Sequence, residues 1–373
     1  MKIYPLFKKI HFLWSVLFLI SLSAYAQDEI TRPYLSVRSV GMGGVRMTTG
    51  LFDENFFYNP ARVTANPRSR LTLLQITPEI SQTTLNNIQS ITGNGDQVSN
   101  VFNTTGKYTH TQFQIVLPAW YLAAIDGRKL GIAVGLIASS QINFGVNNQY
   151  AAQGLGILDV GPALTIGRKF LENEALSVGF TTHLSYRISG APNLTLIDLL
   201  NKSIQPSRYA GDGMKFDFDI GATYKILSLG DWSLNTGVAI QNLLNAKYLT
   251  QSTFSLIKDS TGAVIKNPRT FGVGLNLSHP SPWIFDHTSV AVEVTDINNN
   301  PGGSLYRLLH IGGETTFKIL SLRAGINQGY LTAGVGLNLR FLTLDAATYG
   351  EEMTLNAGIK EERRYALTLG LHI

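Results

Sequence analysis

Residues 38–61, RSVGMGGVRMTTGLFDENFFYNPA, decide how the rest of the chain is interpreted. The glycines at its start are too frequent for a continuous helix, and its apolar residues are too irregularly spaced for a single strand. The stretch follows an apolar N-terminal run and precedes a long series of alternating apolar and polar residues. It is therefore expected to be an irregular element around which the rest of the chain is organised.

The first 26 residues have the pattern of a secretory signal peptide. Three lysines precede an apolar run at residues 10–22 and the sequence AYA at residues 24–26. A basic region, a short apolar region and an A-x-A site predict cleavage before Gln27. The apolar run is shorter than the roughly 20 residues that a transmembrane helix needs.

Composition favours a membrane barrel over a soluble domain. Charged residues make up 15% of the chain and glycine contributes 36 of 373 residues, whereas soluble domains carry about a quarter charged residues. The absence of cysteine excludes a disulfide framework and a thiolate metal site. The formal net charge of +5 includes the lysines of the signal, and the remaining balance gives no reason to expect a nucleic-acid partner.

From residue 70 to the end, apolar residues recur at every second position in segments of about ten residues. In the clearest case the apolar residues are Leu331, Ala333, Val335, Leu337, Leu339 and Phe341. About 14 such segments, an even number, are typical of bacterial outer-membrane proteins. The sequence therefore predicts an all-β fold, a transmembrane antiparallel β-barrel over residues 70–373, closed by pairing of the last strand with the first.

The connections between these segments sort by length. The long ones are expected on one side of the barrel, at residues 82–107, 145–160, 189–213, 243–268 and 350–362. The short ones fall on the other side, near residues 170–173, 228–230, 319 and 341–342. Outer-membrane barrels have long outer loops and short periplasmic turns, which predicts an integral outer-membrane protein with lipids as its surroundings.

Two motifs before the barrel carry a family resemblance. They are the glycines Gly41, Gly43 and Gly44, and the aromatic residues Phe56, Phe57 and Tyr58 followed by Asn59, Pro60 and Ala61. Together they resemble the N-terminal signature of the FadL-like outer-membrane barrels and of their PorV-like and TraF-like relatives. The resemblance implies that residues 27–69 form a hatch inside the barrel, in which these residues pack the plug and shape the substrate path. Taken separately, the glycines also fit an ordinary turn, and Asn59-Pro60 fits a helix start.

Strand alternation places a group of charged residues inside the lumen. They are Asp217, Asp219, Glu293, Glu314, Arg323 and Arg340. Charges on the lipid face are costly, which explains the inward placement. One interpretation is a network of ion pairs that holds the plug, and the other is a binding cluster in which Arg323 and Arg340 face a carboxylate head group.

One outer loop is expected to contain a short amphipathic helix at residues 193–204, with Leu196, Leu199 and Leu200 on one side. The helix either caps the rim of the barrel or offers an apolar surface that captures a ligand.

The sequence contains no catalytic or metal-binding motif that we can assign. It lacks G-x-S-x-G and H-E-x-x-H, so no enzyme activity, metal or cofactor is predicted. The FadL resemblance implies passive uptake of a hydrophobic small molecule, such as a long-chain fatty acid or an aromatic hydrocarbon, gated by the hatch. The PorV-like and TraF-like resemblance implies the alternative, a barrel that transports nothing itself and serves the proteins of a secretion or conjugation apparatus.

Overall fold

The computed structural model describes residues 32–92, 108–146, 152–171, 173–194, 198, 206–250, 255–257, 262–300 and 302–373. The predicted signal peptide and the leucines Leu196, Leu199 and Leu200 lie outside these residues. Within the described ranges, no helix has the length and apolar character needed to cross a membrane.

Fourteen antiparallel strands form one sheet that closes on itself. In chain order they are β1 (Arg70–Ser81), β2 (Tyr108–Leu122), β3 (Leu130–Val146), β4 (Ala152–Phe170), β5 (Leu176–Gly190), β6 (Ala210–Leu229), β7 (Trp232–Gln241), β8 (Thr270–His279), β9 (His287–Val294), β10 (Leu309–Phe317), β11 (Leu320–Asn327), β12 (Tyr330–Asn338), β13 (Leu342–Glu352) and β14 (Glu361–His372). A two-residue strand, Asn193–Leu194, also pairs with the start of β4.

The first and last strands close the barrel. In their antiparallel register Ile76 of β1 lies opposite Leu369 of β14, and Ile80 lies opposite Tyr365. Each strand therefore has a partner on both sides, and no edge is left with unpaired backbone groups in the wall. The predicted all-β barrel and its closure are confirmed.

The two faces of the wall differ in polarity, as β14 shows. Leu367, Leu369 and Leu371 are exposed on the outside, whereas the intervening Thr368 and His372 are buried inside. Similar alternation recurs in the other strands, with apolar side chains exposed outward and polar side chains buried within. An apolar outer face around a polar interior is the arrangement of outer-membrane barrels, so the wall spans a lipid bilayer.

The two ends of the barrel are also different. Turns at residues 230–231, 318–319 and 339–341 close one end, called here the turn side, and the longer connections lie at the other, the loop side. Trp120, Trp232 and Trp283 all lie at or near the turn side, as expected where a barrel meets a membrane interface. By the usual asymmetry of loop lengths, the turn side faces the periplasm.

The predicted long connection at residues 145–160 is wrong in extent. Strands β3 and β4 continue in register up to the pair Val146–Ala152, which leaves only residues 147–151 between them. They contain 17 and 19 residues, more than the roughly 10 that cross a bilayer. The hairpin thus keeps its backbone hydrogen bonds beyond the membrane, where apolar alternation no longer marks a strand.

Residues 33–66, called here the inner segment, lie inside the wall. The segment contains a short α-helix, Val37–Gly41, and two 3-10 helices, Phe52–Phe56 and Pro60–Ala65. Between them its residues contact all 14 strands. Its apolar core includes Phe56 and Val63, which pack with side chains of β2, β3 and β4. The segment therefore fills the middle of the lumen.

Candidate functional site

The first glycine motif forms the contact between the inner segment and strands β10 to β12. Gly43 and Gly44 have positive φ angles of 71° and 84°, which favour glycine. The amide of Gly43 donates to the Thr332 hydroxyl at 2.9 Å, and the Gly43 carbonyl lies 2.8 Å from Nδ1 of His310. A Cβ at Gly43 would lie 2.2 Å from the Ile311 carbonyl oxygen. The glycines therefore permit a close approach of backbone to wall.

Asn59 fixes the second motif. Its side-chain oxygen accepts from the Ala61 amide at 3.1 Å, and its side-chain nitrogen donates to the carbonyls of Met47 at 2.7 Å and Ala222 at 3.3 Å. It thereby caps the 3-10 helix at its N-terminus. The same side chain ties that helix to the inner segment and to strand β6.

The 3-10 helix Pro60–Ala65 packs against a row of glycines in the wall. Gly131, Gly167, Gly179 and Gly221 are directly paired across the neighbouring strands β3, β4, β5 and β6. A Cβ on Gly179 would lie 2.3 Å from the backbone carbon of Pro60. This row was not predicted from the sequence, although each of its members occupies an inward position of its strand, which was the available signal.

Glu293 of β9 anchors the middle of the inner segment. Its carboxylate accepts hydrogen bonds from the backbone amides of Arg46 at 2.5 Å, Met47 at 2.7 Å and Thr48 at 2.9 Å, and from the Thr48 hydroxyl at 2.6 Å. Only 1% of Glu293 is exposed. A buried carboxylate that accepts several amides is well satisfied, so Glu293 holds this bend of the segment in place.

Two further predicted lumen charges form ion pairs on the turn side. Arg38 of the inner segment contacts Glu314 at 2.8 Å and Glu54 at 3.1 Å, and Arg323 contacts Glu314 at 2.6 Å. Arg323 also pairs with Asp345. These contacts agree with a network that joins the segment to the wall. Arg340 does not join it, because β12 ends at Asn338 and Arg340 is exposed in the turn that follows.

Asp217 and Asp219 of β6 hold a loop-side connection. Asp217 accepts from the amides of Leu244 at 2.9 Å and Ala246 at 3.3 Å, and Asp219 accepts from the amide of Asn242 at 2.7 Å. Both carboxylates are buried. Their partners show that residues 242–246 fold over the lumen on the loop side.

A cavity of about 130 Å³ lies beneath this connection on the loop side. Tyr34, Phe57 and Tyr58 of the inner segment form its aromatic wall, and the rings of Tyr34 and Phe57 stack with centroids 3.9 Å apart. Of the predicted site residues, Phe57 and Tyr58 therefore border this cavity. Ala61 and Phe56 are instead fully buried in the packing against the wall.

The same cavity reaches the outer face of the wall between β4 and β5. Its lining includes Val160, Pro162 and Leu184, which are exposed on the outside of the barrel. The register of the two strands lacks pairs at Gly161 and Pro162. Proline has no N–H to donate to a ladder, which accounts for the interrupted pairing at this seam.

Two other cavities, of about 200 and 280 Å³, lie on the turn side. Neither shares a lining residue with the loop-side cavity. The inner segment lies between them and contributes residues to all three. A smaller cavity of about 30 Å³ shares Tyr34 with the loop-side cavity and Leu35 with the cavity of about 200 Å³, so the segment leaves only a narrow space between the two halves of the lumen.

Asp296, in the loop-side connection after β9, joins two arginines of the N-terminal region. Arg46 donates to it at 2.6 Å and Arg32 at 3.3 Å. Burial alone would raise the pKa of Asp296, but Arg46 and Arg32 together hold that pKa well below its usual range. The folded protein therefore favours the ionised form of the Asp296 carboxyl group over the protonated form.

Replacing Asp296 with asparagine is expected to lower the free energy of unfolding at pH 7 by about 2 kcal/mol, the value of hydrogen bonds to a charged group. Because the folded pKa is depressed, the contribution is complete above the unfolded pKa of about 3.9 and is lost as pH falls through the folded pKa. Urea unfolding of both proteins from pH 7 to pH 2 should show the difference shrinking only below about pH 4. Asp126→Asn, in an exposed turn, is the control, and an unchanged gap at pH 2 would contradict the prediction.

A closed barrel with an apolar outer face and an N-terminal segment across its lumen is the fold that the FadL resemblance implies. At the level of the fold, the resemblance to FadL-like outer-membrane barrels is confirmed.

Solved structures similar to this chain include two toluene transporters and a FadL homologue. The Ralstonia pickettii toluene transporter TbuX is 14% identical with a TM-score of 0.48, and the match covers 91% of this chain and 98% of that one. The P. putida toluene transporter TodX is 12% identical with a TM-score of 0.46, and the match covers 91% of this chain and 97% of that one. A Pseudomonas aeruginosa FadL homologue is 10% identical with a TM-score of 0.37, and the match covers 93% of this chain and 99% of that one. No protein-family model and no curated protein matches the chain.

Proposed function

We propose that this protein is a passive outer-membrane channel for small hydrophobic molecules, with the inner segment as its hatch. The observation that carries the proposal is the loop-side cavity, which is lined by Tyr34, Phe57 and Tyr58 and opens toward the outer face of the wall. Charged side chains such as Lys215 and Asp219 also line it, and its volume of about 130 Å³ compares with about 150 Å³ for an enclosed apolar cavity that binds benzene. The ligand is therefore a molecule of about one ring in size, such as a monoaromatic hydrocarbon.

Two exits from this cavity differ in what they require. Release to the turn side needs a displacement of the inner segment, because the segment leaves a cavity of only about 30 Å³ between the two halves. Sideways release between β4 and β5 needs only a widening of the seam at Pro162, where strand pairing is already interrupted. An apolar molecule is favoured in lipid over water, so we propose the seam as the main exit.

Filling the cavity tests the proposal. Ala163 is buried and lines it, so Ala163→Trp is expected to reduce toluene uptake into cells or proteoliposomes about tenfold, since the added ring occupies the space of the ligand. The control is Ile166→Trp, which places the same ring on the lipid face of β4. Equal uptake by both variants and the wild type would overturn the proposal.

A second experiment separates uptake from the secretion alternative. The protein is purified from outer membranes in mild detergent, and its bound compounds are extracted and identified by mass spectrometry. A small hydrophobic compound that is lost on substitution of Asn59-Pro60-Ala61 supports a channel. A stoichiometric protein partner without such a compound favours a component of a secretion apparatus.

A further inference from the structure

Arg62 differs from Arg32, Arg38 and Arg46 in the way its charge is matched. Arg32, Arg38 and Arg46 each form ion pairs with carboxylates at 3.3 Å or less. Arg62, which directly follows Asn59-Pro60-Ala61, forms none with any residue that the structure describes. Its side chain donates from Nε to the Gly50 carbonyl at 3.2 Å.

The Arg62 side chain is half-buried, and although Glu54 and Glu293 favour its charge from a distance, neither lies within ion-pair distance of it. Burial, with Arg38 nearby, lowers the pKa of Arg62 to about 10. The side chain therefore stays a cation at neutral pH, and part of its hydration has been lost. A desolvated cation of this kind gains from an oxyanion that binds its planar fork of N–H groups.

Arg62 borders the turn-side cavity of about 280 Å³, and the charges around this cavity are unbalanced. Lys169 and Lys225 also line it, against a single carboxylate, Glu174. Glu174 is already bound to Lys169 at 3.0 Å, whereas Lys225, like Arg62, has no ion pair among the described residues.

The rest of the lining suits an anion as well. It contains the hydroxyl groups of Ser177 and Thr223 and the side-chain amide of Asn235, whereas the Thr64 hydroxyl already donates to the Ala61 carbonyl at 2.9 Å. Hydroxyl and amide groups donate hydrogen bonds to oxyanions. The cavity has more polar than apolar lining, in contrast to the loop-side cavity.

We propose that this turn-side cavity is a binding site for a small oxyanion, a phosphate or a carboxylate, held by Arg62 with Lys225 at its entrance. The site faces the periplasm and lies against the 3-10 helix Pro60–Ala65, so a bound anion would brace that helix from the periplasmic side. The proposal does not depend on uptake of a hydrophobic ligand, which uses the other half of the lumen.

Isothermal titration of the purified full-length barrel in an uncharged detergent tests the site, with inorganic phosphate and acetate as separate probes. Wild-type protein is expected to bind at least one of them saturably. Arg62→Gln should weaken that binding about tenfold or more, the loss expected for a charge-assisted hydrogen bond. The matched control is Arg340→Gln, an exposed arginine on the same side, which should bind like the wild type.

The outcomes are distinct. Binding of phosphate, acetate or both that Arg62→Gln loses and Arg340→Gln retains supports the site and identifies its anion. Absence of saturable binding to the wild type, or equal binding by the two variants, overturns it. If Arg62→Gln fails to fold, Lys225→Gln at the exposed entrance replaces it, with a weaker but measurable loss expected. Failure of toluene uptake would leave this result unaffected.

Discussion

Replacing Gly179 with leucine is expected to turn the closed barrel into an ion-conducting one. A Cβ at this position would lie 2.3 Å from the Pro60 backbone carbon and 2.4 Å from the Ala61 amide nitrogen. These are backbone atoms of a capped helix, which cannot move aside as a flexible side chain would. The helix Pro60–Ala65 must therefore leave the wall, and the inner segment would no longer fill the lumen.

The size of the effect follows from the width of the barrel. Barrels of eight strands are filled by side chains, whereas those of 16 to 18 leave an aqueous channel. With 14 strands the lumen is wide enough for water unless something occupies it. Displacement of the inner segment is therefore expected to raise single-channel conductance in planar bilayers on the order of tenfold.

Gly156→Leu is the matched control for this experiment. Gly156 belongs to strand β4 of the same wall, but a Cβ there would meet nothing within 4 Å. Conductance should stay at the wild-type level in this variant. A Gly179→Leu barrel that folds and stays closed would show that the glycine row does not position the segment.

The wall could be predicted from the sequence because the bilayer imposes a simple rule on it. Every second residue of a strand must be apolar where it faces lipid. Leu367, Leu369 and Leu371 therefore mark the outer face of β14, and the residues at the alternate positions mark its inner face. The same rule placed Asp217, Glu293 and Glu314 inside, where they are buried. The alternation rule does not apply outside the bilayer. This explains why the continued pairing of β3 and β4 up to Val146 and Ala152 was not predicted, and why Arg340 was wrongly placed in the lumen.

The candidate site was harder to predict from the sequence than the wall, because its contacts join residues that are far apart in the chain. Alternation shows that Glu293 faces inward, but it does not show that the Glu293 carboxylate meets the amides of residues 46–48. The glycine row exists only once β3 to β6 are set in register, since its members are neighbours across strands. The resemblance identified the motif Asn59-Pro60-Ala61, but not the surface that receives it.

Replacing Glu293 with glutamine is expected to release the middle of the inner segment. The carboxylate accepts three backbone amides and one hydroxyl. Glutamine keeps one acceptor oxygen and presents an NH₂ group to donors, which leaves at least one buried amide unpaired. Each unsatisfied buried group costs about 1–3 kcal/mol, so local opening should become easier by about 3 kcal/mol, or roughly 100-fold in population.

Hydrogen exchange followed by mass spectrometry measures this opening directly. In Glu293→Gln the amides of residues 46–48 should exchange about 100-fold faster, while those of residues 244 and 246 stay protected. Asp217→Asn is the reciprocal control, because Asp217 accepts the amides of Leu244 and Ala246 instead. Its effect should appear at those two residues and not at 46–48. Because the two carboxylates lie on different strands of one barrel, faster exchange at both places in either variant would mean general loosening of the wall. Faster exchange confined to 46–48 in Glu293→Gln would identify Glu293 as the anchor that holds the inner segment against the wall.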